Sequence, residues 1–199
     1  MNDNSIKEEI LEAARNRFAH YGFSKVTMEE IAADVGMGKA SLYYYFPTKE
    51  DLFKSVIHKE QNLFAEEIDK LFCRKISAEN KLKNYVKKRL DYFHELINLS
   101  TLNVNTFMDI KLMFKELFED FEKKELQLLQ RILDEGKMNG EFDRHLRHET
   151  TITFLHLLQG LRLRMIKFIR DNRMEKEKYD ELRIEMSVFV EIFIKGIKA

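Results

Sequence analysis

The chain reads as an all-α protein, a small three-helix unit at the N-terminus followed by a larger helical body, and three observations predict this. Its 199 residues include one Pro and seven Gly, so strand-and-turn punctuation is scarce. Leu, Ile, Phe, Met, Lys and Glu dominate, most of which a helix holds at little cost. Apolar positions recur at spacings of three and four through most of the chain.

The elements follow in order. Ser5 with Glu8 forms a capping box that opens a first helix, with Ile6, Ile10, Ala14 and Phe18 on one face and Leu11 and Tyr21 widening it. Gly22 ends that helix. Thr27 with Glu30 is a second capping box, opening a short helix that buries Met28, Ile31, Ala32 and Val35 and stops at Gly36. A third runs from about Gly38 to Tyr45, ahead of Pro47. Thr48 caps a fourth, carrying Leu52, Phe53, Val56, Ile57, Phe64, Ile68 and Leu71, long enough to be a strut. Ser77 opens a helix with Leu82, Val86, Leu90, Phe93 and Ile97. A long helix from Phe107 to Glu135 closes in a Gly136–Gly140 turn, and two more span Leu146–Asn172 and Tyr179–Ile197. The expected domains are 1–47 and 48–199, with 48–72 the connecting helix.

Composition narrows the function. The opening MNDNSIKEEI contains no apolar leader, and charges break every apolar stretch well short of membrane-spanning length, so the expectation is a soluble, cytoplasmic protein. Cys73, the single cysteine, makes no internal disulfide and no cysteine-built zinc cluster. It also lacks a recognisable catalytic partner. With no glycine-rich phosphate loop or paired acid motif, the sequence predicts neither enzyme nor cofactor. His145, His148, Glu149 and His156 cluster, but no metalloprotease spacing joins them and no metal site is assigned.

Net charge is zero, and residues 1–72 carry nine basic against thirteen acidic side chains, the reverse of a global signal for nucleic acid. Placement matters more. From Val35 through Lys49 there is no acidic residue. That stretch holds the third helix, joined to the second by the Gly36-Met37-Gly38 turn, the layout of a helix-turn-helix. Ile31, Ala32, Val35 and Leu42 supply the brace between the two helices. The outer face is then Lys39, Ala40, Ser41, Tyr43, Tyr44 and Tyr45: a flexible cation, a methyl surface suited to thymine, a short hydroxyl that permits close approach to bases, and phenols that reach phosphates. Three consecutive tyrosines cover about 300° of a helix and cannot share one core, so Phe46 is expected buried, Tyr44 exposed and Tyr43 partly packed. Thr27 and Thr48 are caps first. The N–H groups beside them suit phosphate oxygens, with Lys49 next to the second.

The run TMEEIAADVGMGKASLYYYFPTKEDLF from Thr27 to Phe53, with AARNRFAHYGF before it, resembles the DNA-binding domain of the TetR family of bacterial transcriptional regulators. GKMNGEFD further on also resembles a turn between ligand-domain helices of that family. The resemblance implies nine or ten helices, a double-stranded, palindromic DNA operator, a homodimer, and most often repression relieved by a small-molecule effector. By position it implies Lys39, Ala40 and Ser41 at the bases and Thr27, Tyr43, Tyr44 and Lys49 at the backbone, with Tyr45 completing the DNA-facing set. Gly38 departs from the pattern, since relatives often cap the recognition helix there with serine.

The body gives weaker signals. Its aromatic richness is ordinary for a core, yet such a core can wrap a small apolar or amphipathic molecule, with Tyr85, Tyr92, Phe93, Phe107, Met108, Phe114 and His156 as the candidate lining. In the last two helices Gly160, Phe189, Phe193 and Ile197 are the candidate dimer contacts. The competing reading is an all-helical protein-interaction module that does not bind DNA.

Overall fold

The computed structural model describes residues 3–72, 75–100, 112, 115–166 and 176–199, and within these not the side chains of 93, 95–100 and 162–166. Cys73, Phe107, Met108 and Phe114, and the side chain of Phe93, lie outside the described set. The helices are α1 (Asp3–Tyr21), α2 (Met28–Asp34), α3 (Lys39–Tyr45), α4 (Lys49–Phe72), α5 (Ala78–Ser100), α6 (Lys115–Met138), α7 (Glu149–Ile166) and α8 (Lys176–Ile197).

Helix α1 begins two residues before the expected Ser5 cap, with Asp3 in its first turn, where a carboxylate complements the helix dipole. Tyr21 falls outside the buried stripe and is half exposed. The rest of the face packs as its spacing demands: Ile10, Ala14 and Phe18 are fully buried. Phe18 meets Phe53 of α4 edge-on at 5.0 Å and Phe23 lies 4.8 Å from the same ring, so three aromatics seal the N-terminal unit onto α4. Polar ties reinforce this joint. Arg15 donates to Glu60 at 2.7 Å, and Lys59 pairs with Glu8.

In the body, α5 packs against α1, α4, α6 and α8 and is its central element. Its N-terminus is capped from a distance: both carboxylate oxygens of Glu141 accept, from the amides of Ala78 (3.0 Å) and Glu79 (3.1 Å). Two to three turns inward, Tyr85, Arg89 and Glu125 form a buried polar triad joining α5 to α6. Arg89 donates twice to Glu125 (2.6 and 2.9 Å) and the Tyr85 hydroxyl donates at 2.7 Å. Helix α6 runs through Gly136 to Met138 rather than ending at Glu135, and the chain reverses at Gly140, φ +74°. Gly136 is required for a different reason, because the fully buried Phe142 ring occupies the space a Cβ would need.

Candidate nucleic-acid interface

Helix α2 is fixed at its start by a reciprocal capping box. The Thr27 amide donates to the Glu30 carboxylate at 2.9 Å, and the Glu30 amide donates to the Thr27 hydroxyl at 3.3 Å. Met28, Ile31 and Ala32 bury its inner face. Arg17 of α1 grips Asp34 through two N–H groups, which holds that carboxyl below its usual value. The turn then needs one glycine, not two. Gly36 sits at φ +66°, whereas Gly38 has φ −70° and ψ 150°, an extended backbone open to any residue.

Helix α3 buries one of its seven residues, Leu42, with 0% exposed. Everything else points outward or along the edge. Ala40 and Ser41 are exposed, Tyr44 is 81% exposed and Tyr43 37%. Phe46 is buried, and its extended φ of −136° ends the helix before Pro47, as the residue ahead of proline should. Tyr45 is half-buried and hydrogen-bonded to Asp3 of α1, whose carboxylate raises the phenol's pKa. It therefore braces α3 against α1. With no side-chain cap at Gly38, α3 starts on backbone bonds alone: the amides of Ser41 and Leu42 donate to the Gly38 carbonyl at 3.0 and 3.2 Å.

Two lysines are placed differently from what the sequence suggests. Lys39 stands exposed at the head of α3, but its ammonium pairs with Glu29 of α2. That contact pushes the Lys39 pKa up and the Glu29 pKa down. The surface is free of carboxylates along the sequence but not in space. Lys49 reaches back instead of outward: its ammonium donates to the carbonyls of Phe23 (2.9 Å) and Val26 (3.1 Å) and lies 4.6 Å from the Phe23 ring centroid. It ties the loop before α2 to the start of α4. Thr48 caps α4, accepting from the Asp51 amide at 3.0 Å.

The body candidates divide too. Tyr85 is wholly buried, its hydroxyl committed to Glu125, and burial raises its pKa. Tyr92 packs against Phe64 (5.1 Å) and Phe121 (5.4 Å), two rings the sequence reading had not assigned to that cluster. His156 is corrected: its side chain is 57% exposed and faces Glu122 on the surface, because its position on α7 lies opposite the buried Phe154, Leu155 and Leu158. Of the interface candidates, Gly160 is exposed with open space around it. Ile197 is corrected: it is buried, with its carbonyl accepting from the Asp143 amide at 2.9 Å. Phe189 and Phe193 are half-buried against Phe154 of their own chain, at 5.6 and 4.3 Å. Among the described residues, the large apolar side chains left exposed on the same two helices are Leu157, Ile184, Val188 and Ile192.

This arrangement, a braced short helix, a tight turn and a second short helix that exposes nearly all its side chains, is one that known proteins share. The sequence model of bacterial regulatory proteins, tetR family, matches residues 10–56, from within α1 through the first part of α4. A transcriptional regulator from Cytophaga hutchinsonii, solved by crystallography, is 44% identical, superposes with a TM-score of 0.89 and is matched over 96% of this chain and 98% of its own. The chain belongs to the TetR family. It is a DNA-binding transcriptional regulator with an N-terminal helix-turn-helix and a C-terminal helical domain. Another TetR-family relative, the HTH-type transcriptional regulator QacR of Staphylococcus aureus, is 27% identical over 140 residues, 69% of this chain and 74% of its own. The FadR regulator of Bacillus subtilis, solved in complex with stearoyl-CoA, shares the TetR-family fold at 23% identity, with a TM-score of 0.67 and 96% and 98% coverage. Among the described residues, no helix is long and apolar enough to cross a membrane.

Proposed function

We propose that this regulator is a cytoplasmic homodimeric repressor that holds a palindromic operator with two α3 helices and lets go when a small apolar or amphipathic molecule binds the helical body. The observation that carries the DNA half is the outward face of α3, where one residue in seven is buried. Such a helix fits the major groove, with Lys39, Ala40 and Ser41 at base edges and Tyr43 and Tyr44 toward phosphates. Thr27 and Thr48 bring helix N-termini to the backbone, and Lys49 keeps one ammonium N–H beyond its two internal bonds. The dimer reading rests on Leu157, Val188 and Ile192, large exposed side chains on α7 and α8, with the open Gly160 surface beside them for close approach. A relative whose structure holds stearoyl-CoA supports the effector class.

Gel-shift titration against DNA flanking the gene tests the proposal. Two recognition helices about 34–36 Å apart require a two-fold site, and phosphate contacts require affinity that falls steeply with salt. A shift insensitive to salt would overturn the phosphate contacts, and a bound site without two-fold symmetry would overturn the paired α3 helices.

A further inference from the structure

Two contacts set α5 and α8 antiparallel and fix their register. The Tyr179 hydroxyl donates to Asp91 just past the middle of α5, and Lys198 pairs with Glu79 at its N-terminal end, 3.1 Å. Between them a groove of 550 Å³ opens, within the range of about 300–1,000 Å³ that holds small ligands. Its floor is apolar: Val86 and Leu90 from α5, Met186 and Val190 from α8, none more than 5% exposed. Ile184 forms part of one wall and is 64% exposed.

The charges around this floor are uneven. Arg183 is one turn along α8 from Tyr179, and Lys87 is one turn back along α5 from Asp91, so the register brings the two cations level on opposite walls. Neither is in an ion pair among the described residues. Asp91 accepts the Tyr179 hydroxyl, Lys83 answers Glu79, and Glu191 lies two turns from Arg183 toward the other end. Two unpaired cations facing each other over a hydrocarbon floor repel, and a carboxylate or phosphate set between them removes that repulsion while its chain covers the floor. From residue 183 to residue 190 a helix rises about 10 Å, room for an extended chain.

We propose that the α5/α8 groove binds a linear anionic amphiphile, with its head group between Arg183 and Lys87 and its aliphatic chain along Val86, Leu90, Met186 and Val190. Because α5 also packs on α1 and α4, a molecule wedged against α5 bears on the helices that carry α2 and α3. Only that consequence rests on the effector reading above; the binding itself does not.

Calorimetric titration of the full-length protein with decanoate tests the site, with decanol as the uncharged control and the double variant Lys87→Glu/Arg183→Glu as the site control. Both side chains are exposed, so an unchanged thermal midpoint is expected of the variant. Saturable decanoate binding that is about tenfold or more weaker in the variant, and weaker for decanol, is the expected result, that factor being the least a lost charge-assisted hydrogen bond costs. No saturable binding, or equal affinity in the variant, overturns the proposal, the latter by placing the chain elsewhere. The gel shift is read separately: decanoate that binds in the groove yet leaves the DNA shift unchanged overturns the link to α3 and not the site.

Discussion

Helices α2 and α3 are each seven residues long and flank one turn, yet the chain treats them oppositely. Neither length is stable alone, since isolated helices shorter than about 12–15 residues are marginal in water. Helix α2 is held by a reciprocal capping box and three buried side chains. Helix α3 has no side-chain cap, one buried leucine, and Tyr45 leaning on Asp3 at its far end. Stability is concentrated in α2, not in the helix proposed to enter the groove. On that proposal α3 keeps its surface for DNA, at the cost of being weakly held before DNA is present.

Substitutions should therefore separate folding from recognition, and the widest gap is expected between Ile31 and Tyr44. Ile31 is fully buried, so Ile31→Ala is expected to lose about 2–5 kcal/mol of stability in a denaturant titration. Tyr44, 81% exposed, touches little in the free protein; Tyr44→Ala should leave the thermal midpoint in place while weakening the gel shift. A Tyr44→Ala protein that melts early would erase the contrast between the two helices. Next in size is Thr27→Ala, expected to cost about 1 kcal/mol because the Glu30 amide loses its acceptor and α2 its start. Circular dichroism melting reads that loss, and an unchanged midpoint would mean the Glu30 carboxylate alone holds the helix end.

The same contrast explains which features the sequence disclosed. Caps reach three residues, so Thr27 with Glu30 and Thr48 ahead of α4 were legible from spacing, as was Phe46 buried beside an exposed Tyr44. Features that join distant segments were not. Glu141 caps α5 from 62 residues away, and nothing near either partner announces it. Glu29 reaches Lys39 across the turn, so a count of charges along the chain missed it. Helix α8 shows why the interface anchors needed correction. Successive residues turn by about 100°, so Phe189 packs on Phe154 while Val188 faces out. Both stripes are apolar, and periodicity cannot tell which of two such stripes covers its own chain.

A smaller effect is expected from giving α3 the cap it lacks. Gly38 has an ordinary extended backbone and nothing within 4 Å of where a Cβ would stand, so Gly38→Ser introduces a hydroxyl acceptor for the first turn without strain. Glycine is only a few tenths of a kcal/mol poorer than serine as a cap, about the gain expected in stability. DNA binding should tighten slightly as well, since less of α3 then has to order on the duplex. Weaker binding by Gly38→Ser would mean that the looseness of α3 is used in docking.

The smallest effect on folding, and the most informative for recognition, is expected at Glu29. Its carboxylate lies in solvent and pairs with Lys39, so Glu29→Gln should leave stability unchanged. With Lys39 at the bases as proposed, the wild type must exchange that carboxylate for DNA. In the variant Lys39 is free beforehand, so affinity should rise for the operator and for unrelated duplex by similar factors, leaving the ratio between them unchanged. The pH dependence has a definite sign. The Lys39 ammonium holds the Glu29 pKa below its ordinary 4.5, so the carboxylate stays charged throughout the neutral range. The difference between wild type and variant should then be constant from neutral pH down to that ordinary value and close only as pH falls through the lowered one. A Glu29→Gln protein that loses operator affinity while keeping its grip on unrelated DNA would reverse the assignment: Glu29 would be accepting a hydrogen bond from a cytosine amine, and α2 would share the reading with α3.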